Sequence, residues 1–187
     1  MNKYPGMIIA VLFAVPVYAA DSYTIDPTHT WPSFEVNHLG YSTQRGRFGK
    51  TSGKITLDVA AKKGSVDITI ETASIDMGFA KWDEHMRGID FFNVTQYPSM
   101  HFISDRLLFE GDNVVGAEGK FTLLETTRPL ILKVDNFHCA PHPLTRRMHC
   151  GANISAIIQS MQFGMAKFIP LVSDEVKLYS PIEAAKD

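Results

Sequence analysis

Period-two alternation dominates this chain from Tyr23 onward, and it leaves room for one convincing amphipathic helix. A strict period of two sends successive side chains to opposite faces of a strand, so each such segment presents one apolar and one polar face. The cleanest case is Ser65 to Glu71, where Val66, Ile68 and Ile70 alternate with Asp67, Thr69 and Glu71. In the run from Trp31 to His38, Phe34, Val36 and His38 share a face opposite Ser33, Glu35 and Asn37. Ala117, Gly119, Phe121 and Leu123 share another, and Val176, Leu178, Ser180 and Ile182 alternate with Lys177, Tyr179 and Pro181.

Tyr23 to Ile25, Met100 to Leu108, Leu130 to Val134 and Ala152 to Ile158 add further strand text. Gly40 to Gly46 reads as a polar turn, and Gly46 to Asp58 as one long strand bent at Gly49 and Gly53. Lys62-Lys63-Gly64, Glu110-Gly111-Asp112-Asn113 and Thr126-Thr127 read as turns, and the segment Cys139 to Cys150, with Pro141 and Pro143, as a loop. About eight strands at hairpin spacing imply an all-β antiparallel barrel or sandwich in a single domain. The long, glycine-bent strands and the mid-chain helix favour the barrel. An eight-stranded barrel either fills with its own side chains or encloses one small ligand.

The helix is expected around Trp82 to Asp90. Trp82, His85, Met86 and Ile89 fall at i, i+3, i+4 and i+7, and Asp83 and Arg87 are spaced to pair on the other face. Gly88 and the aromatics Phe91-Phe92 end it. A short helix with this stripe suits the closure of one end of a barrel. Filling the end of an ordinary core is an equally good account of the spacing.

Residues 1–19 read as a secretory signal peptide. Lys3 precedes the apolar run Met7 to Val15, which is too short to span a bilayer, and Val17-Tyr18-Ala19 supplies small residues before a cut after Ala19. The mature domain is then 20–187. Lys3 is the one charged side chain removed, so the 18 basic residues fall to 17 against 20 acidic ones, a net charge of −3. No basic cluster exceeds Lys62-Lys63 or Arg146-Arg147, which argues against nucleic acid. In an exported chain the two cysteines, Cys139 and Cys150, are expected to form a disulfide.

Enzyme signatures are missing: there is no GxSxG, P-loop, GxGxxG before a helix, or HExxH. Asp83 with His85, and Asp26 with His29, could be drawn as acid–base pairs, but nothing in the spacing requires catalysis. His138, His142 and His149 crowd the two cysteines, so a metal- or redox-active loop over 138–150 is the alternative function; a disulfide would remove both sulfur ligands. His38, on the face of Phe34 and Val36, is either a satisfied core histidine or a polar group near the barrel mouth. Phe34, Phe48, Phe91, Phe92, Phe102, Phe121 and Phe163 fall in strand or helix-edge text. They form either a core or the wall of a pocket suited to a long hydrocarbon.

Six segments in register carry a resemblance. They are Tyr23-Thr24-Ile25-Asp26-Pro27-Thr28-His29-Thr30, Phe34-Glu35-Val36-Asn37-His38-Leu39-Gly40, Gly46-Arg47-Phe48, Asp83-Glu84-His85-Met86, Asp90-Phe91-Phe92 and Tyr97-Pro98-Ser99-Met100-His101-Phe102. Together they resemble the YceI-like family of bacterial exported proteins. The resemblance implies a lipocalin-like barrel in the periplasm whose pore holds a polyisoprenoid chain, that of a quinone or an isoprenyl phosphate. It implies a carrier with no catalytic residue and no cofactor beyond the bound lipid, and for some members an association with membrane b-type cytochromes. On that reading Phe34, Val36, His38, Phe48, Ile68, Ile70, Phe91, Phe92, Phe102 and Phe121 line the pore. A homodimer would be one way to cover the barrel mouth. Many members carry an Arg shortly before an Asp-Phe-Gly; here the text is Ser160-Met161-Gln162-Phe163-Gly164, so no role for those charges transfers.

Overall fold

The computed structural model describes residues 20–187, so the signal segment 1–19 lies outside the described residues. Eleven strands and one α-helix follow in order. They are β1 (Asp21–Ile25), β2 (Ser33–His38), β3 (Ser42–Phe48), β4 (Thr51–Asp58), β5 (Lys63–Glu71), β6 (Ile75–Asp76), α1 (Ala80–Arg87), β7 (Ser99–Glu110), β8 (Asn113–Leu123), β9 (Thr126–Pro141), β10 (Met148–Gln159) and β11 (Val172–Lys186). Antiparallel pairing runs β1-β4-β5-β7-β8-β9-β10-β11, and a β1–β11 ladder closes these eight into a barrel. Closure removes the exposed sheet edges that an open sheet would leave.

β2, β3 and β6 extend the wall beyond that ring, continuing from β11. On the edge away from β10, the long strand β11 serves two neighbours, pairing with β1 through Ala184–Lys186 and with β2 through residues up to Tyr179. Between them the chain 26–32 leaves the ladder, and Thr30 fills the gap. Its hydroxyl donates to the Glu183 carbonyl at 3.3 Å and accepts from the Glu183 N–H at 3.1 Å. Thr30 is only 1% exposed; the Glu183 carbonyl also accepts the Asp26 N–H at 2.9 Å, while Thr30 supplies the acceptor for the Glu183 N–H.

Three expectations about turns are corrected. The segment Gly40 to Gly46 is not a turn: Leu39-Gly40-Tyr41 make the turn, and Ser42–Phe48 is strand β3. Its signal is weak because only Gly46 and Phe48 of that strand are buried. Gly46 to Asp58 is not one strand either. It breaks at Gly49-Lys50, where the ladder shifts: Phe48 faces Ile75 and Thr51 faces Ile70, three steps along one side against five along the other. The Gly49 N–H donates to the Ser74 carbonyl at 3.0 Å and the Phe48 N–H to the Pro32 carbonyl at 2.8 Å, which stitches the break. Thr126-Thr127 belong to β9, and the turn is Leu124-Glu125, with Leu124 at a φ of 55°.

The Cys139–Cys150 segment is less loop than expected. β9 continues to Pro141 and β10 starts at Met148, so the cysteines are directly opposed across a ladder and form the expected disulfide. A closed loop of this size stabilises by about 2–4 kcal/mol.

The helix also differs from its expectation. α1 stops at Arg87, so Ile89 falls outside it and is 82% exposed; Met86 is its buried residue. Asp83 and Arg87 do not pair with each other. The Asp83 carboxylate accepts the Met77 N–H at 2.6 Å, while Arg87 donates to the carbonyls of Ala73 (2.9 Å) and Ile75 (3.0 Å). Both residues satisfy backbone groups of the segment beside β6, which brings α1 against the end of the barrel.

Candidate functional site

An apolar cavity of about 190 Å³ occupies the barrel on the side closed by α1. Alternation builds its wall strand by strand: Phe34 and Val36 from β2, Phe48 from β3, Ile68 and Ile70 from β5, Phe102 from β7 and Phe121 from β8. The chain after α1 adds Phe91 and Phe92, and α1 itself contributes Met86. The rings pack tightly, with Phe48 edge-on to Phe92 at 5.3 Å between centroids and Phe34 6.2 Å from Phe48. Such tilted pairs are a preferred aromatic geometry.

Nine of the ten side chains expected at the pore therefore border this cavity. His38 does not. It lies at the last position of β2, and its ring meets Trp82 of α1 edge-on at 6.0 Å, outside the cavity wall.

A second cavity of about 80 Å³ continues the first toward the disulfide end, bordered by Tyr23, Val114, Val134, Phe137 and Cys150 among others. The two share Ile68, Leu132, Ile154 and Ile182, which form a waist between them. Sequence reasoning missed much of the wall supplied by the C-terminal half, including Leu132, Ile154, Val176, Leu178 and Ile182. The β11 alternation was the available signal. Phe168 and Ile169 carry no periodic signal, because they sit in the irregular segment before β11.

The lining carries charged side chains at one point. Lys167, 58% exposed at its side chain, donates to Asp90 at 2.6 Å. Beside it the Phe168 ring stacks on Phe91, 5.1 Å apart and 13° from parallel, and His85 meets the Phe91 ring edge-on at 5.1 Å.

The other chemical candidates fare differently. Cys139 and Cys150 are joined, which takes both thiolates from the 138–150 loop as ligands. The His142 ring accepts the N–H groups of Leu144 and Thr145 at 3.3 and 3.2 Å, giving it a structural task in the turn. Asp83 is committed to the Met77 amide, and His85 to the aromatic rim. Among the described residues, the His and carboxylate side chains that converge are Asp26, His29 and Glu183. His29 Nδ1 is 2.8 Å from Asp26 and 3.9 Å from Glu183. The Thr28 hydroxyl and then His29 hold the Asp26 carboxyl down to about 2, and Asp26 in turn raises His29. These bonds account for the cluster as a turn lock between β1 and β2.

Comparison with known proteins bears on this geometry. A UPF0312 protein of Shewanella oneidensis is 35% identical over 133 residues, 70% of each chain. One of Vibrio cholerae is 33% identical over 131 residues, 68% of this chain and 69% of that one. The crystal structure of Burkholderia cenocepacia BcnA superposes with a TM-score of 0.71 at 22% identity, covering 85% of this chain and 98% of that one. A polyisoprenoid binding domain from Saccharophagus degradans superposes with a TM-score of 0.65 at 14% identity, covering 88% and 98%. At such identities the two structures establish the barrel alone. The model of the YceI-like domain matches residues 23–184, essentially the whole barrel, and the chain belongs to that family.

Proposed function

We propose that this protein binds the hydrocarbon chain of an isoprenoid lipid in the barrel pore and acts as an exported, periplasmic carrier rather than an enzyme. The observation that carries the reading is the cavity wall, which is predominantly aliphatic and aromatic, with β4 the one strand that brings only a hydroxyl residue, Thr51, to it. Each 100 Å² of apolar ligand surface buried there contributes about 2.5 kcal/mol, so a long chain needs few polar contacts. The polyisoprenoid binding described for the Saccharophagus degradans domain, which shares the barrel, supports the same ligand class. If the ligand is a quinone, a membrane b-type cytochrome is a fitting partner.

Size sharpens the reading. An apolar cavity of about 150 Å³ takes one benzene, so at rest the two volumes hold roughly two isoprene units. A longer chain has to part the waist of Ile68, Leu132, Ile154 and Ile182 to run from one cavity to the other.

The test compares lipid co-purifying with wild type and with two pore variants, Phe92→Asp and the pore-filling Ala156→Trp, each confirmed folded by circular dichroism. An Ile103→Asp control changes an exposed residue on the barrel exterior. Loss of lipid in both pore variants and retention in the control is expected; equal retention in all four proteins would overturn the proposal.

A further inference from the structure

We infer that the pore of this chain selects lipids with an uncharged head group, a quinone carbonyl or an isoprenoid alcohol, over isoprenyl phosphates, and that the Asp90–Lys167 pair sets this preference. The inference rests on the apolar-chain reading above. Among the described residues, Asp90 and Lys167 are the only cavity-lining side chains charged at neutral pH. They are bonded to each other at 2.6 Å, so the mouth carries no uncompensated positive charge.

A phosphate head would bring between one and two negative charges to that point. It must either displace Asp90 from Lys167 or share the single ammonium with the Asp90 carboxylate, which leaves excess negative charge at the mouth, and like charges at contact oppose binding. A further carboxylate borders the lining residues Ser160 and Ser173. Asp174, next to the lining residue Ser173, accepts from the Ser160 hydroxyl at 3.2 Å and from the Met161 N–H at 2.7 Å.

An uncharged head meets none of this. An ammonium has three N–H donors, and one bond to Asp90 leaves Lys167 two for a carbonyl or hydroxyl oxygen. The stacked rings of Phe91 and Phe168 give a flat head an aromatic wall beside that donor.

The experiment uses delipidated full-length mature protein and two probes of equal chain length, farnesol and farnesyl phosphate, titrated at low ionic strength. Wild type is expected to bind farnesol at least tenfold more tightly than the phosphate. In Asp90→Asn, which frees Lys167, the ratio is expected to fall toward one or reverse. Equal or tighter binding of farnesyl phosphate by wild type overturns the inference and leaves the apolar-chain reading standing. A folded Asp90→Asn protein with an unchanged ratio also overturns it. Binding of neither probe overturns both.

Discussion

The Phe102 ring of β7 lies over Gly119 of β8, and its Cζ would stand 2.6 Å from a Cβ added to that glycine. The ring tip therefore occupies the space that any other residue type would claim, and it does so at a wall position of the cavity. Gly119 is needed for this close approach.

Gly119→Ala should destabilise the fold by about 1–3 kcal/mol, the usual range for a forced methyl in a packed wall. Urea denaturation near neutral pH reads it as a lowered midpoint. An unchanged midpoint would mean that both the Phe102 ring and the Ile103 carbonyl, which the added Cβ also meets, give way freely.

The tie between α1 and the segment before it is similarly specific. Arg87→Met leaves the carbonyls of Ala73 and Ile75 without their charged donor, at an expected cost of about 2–3 kcal/mol. Hydrogen exchange should quicken over 79–92 more than over β9 and β10. Uniform quickening across the barrel would show that α1 is not a separable closure.

Acid should act through the turn lock. The folded Asp26 value of about 2 lies below its ordinary 3.8, so its stabilisation is present above about pH 4 and lost as pH falls through about 2. His29 is shifted upward, so its share is complete below its ordinary 6.5 and is lost as pH rises through the raised value. The stability difference between wild type and Asp26→Asn should therefore be largest near pH 5 and shrink both near pH 2 and in the alkaline range. Urea midpoints across that range check it; a pH-independent difference would contradict the assignment.

Much of the barrel is legible because alternation survives wherever one strand face meets the pore. Ser65 to Glu71 and Val176 to Ile182 both follow it. Legibility fails where a strand is broken or its turn lacks turn residues. Leu124-Glu125 reverses the chain with a leucine at positive φ, so the neighbouring threonines carry a misleading signal. β3 contributes so little to the interior that its polar text reads as a loop. The cavity wall is legible on the N-terminal strands, while the Asp90–Lys167 contact spans 77 positions and leaves no local trace.

The pore is proposed to carry an isoprenoid chain. Organic extraction of the protein purified without detergent from its native cells, followed by mass spectrometry, tests this most directly. An isoprenoid approaching one molecule per chain, with an uncharged head, is expected. Repeated preparations that yield no long-chain lipid would contradict it.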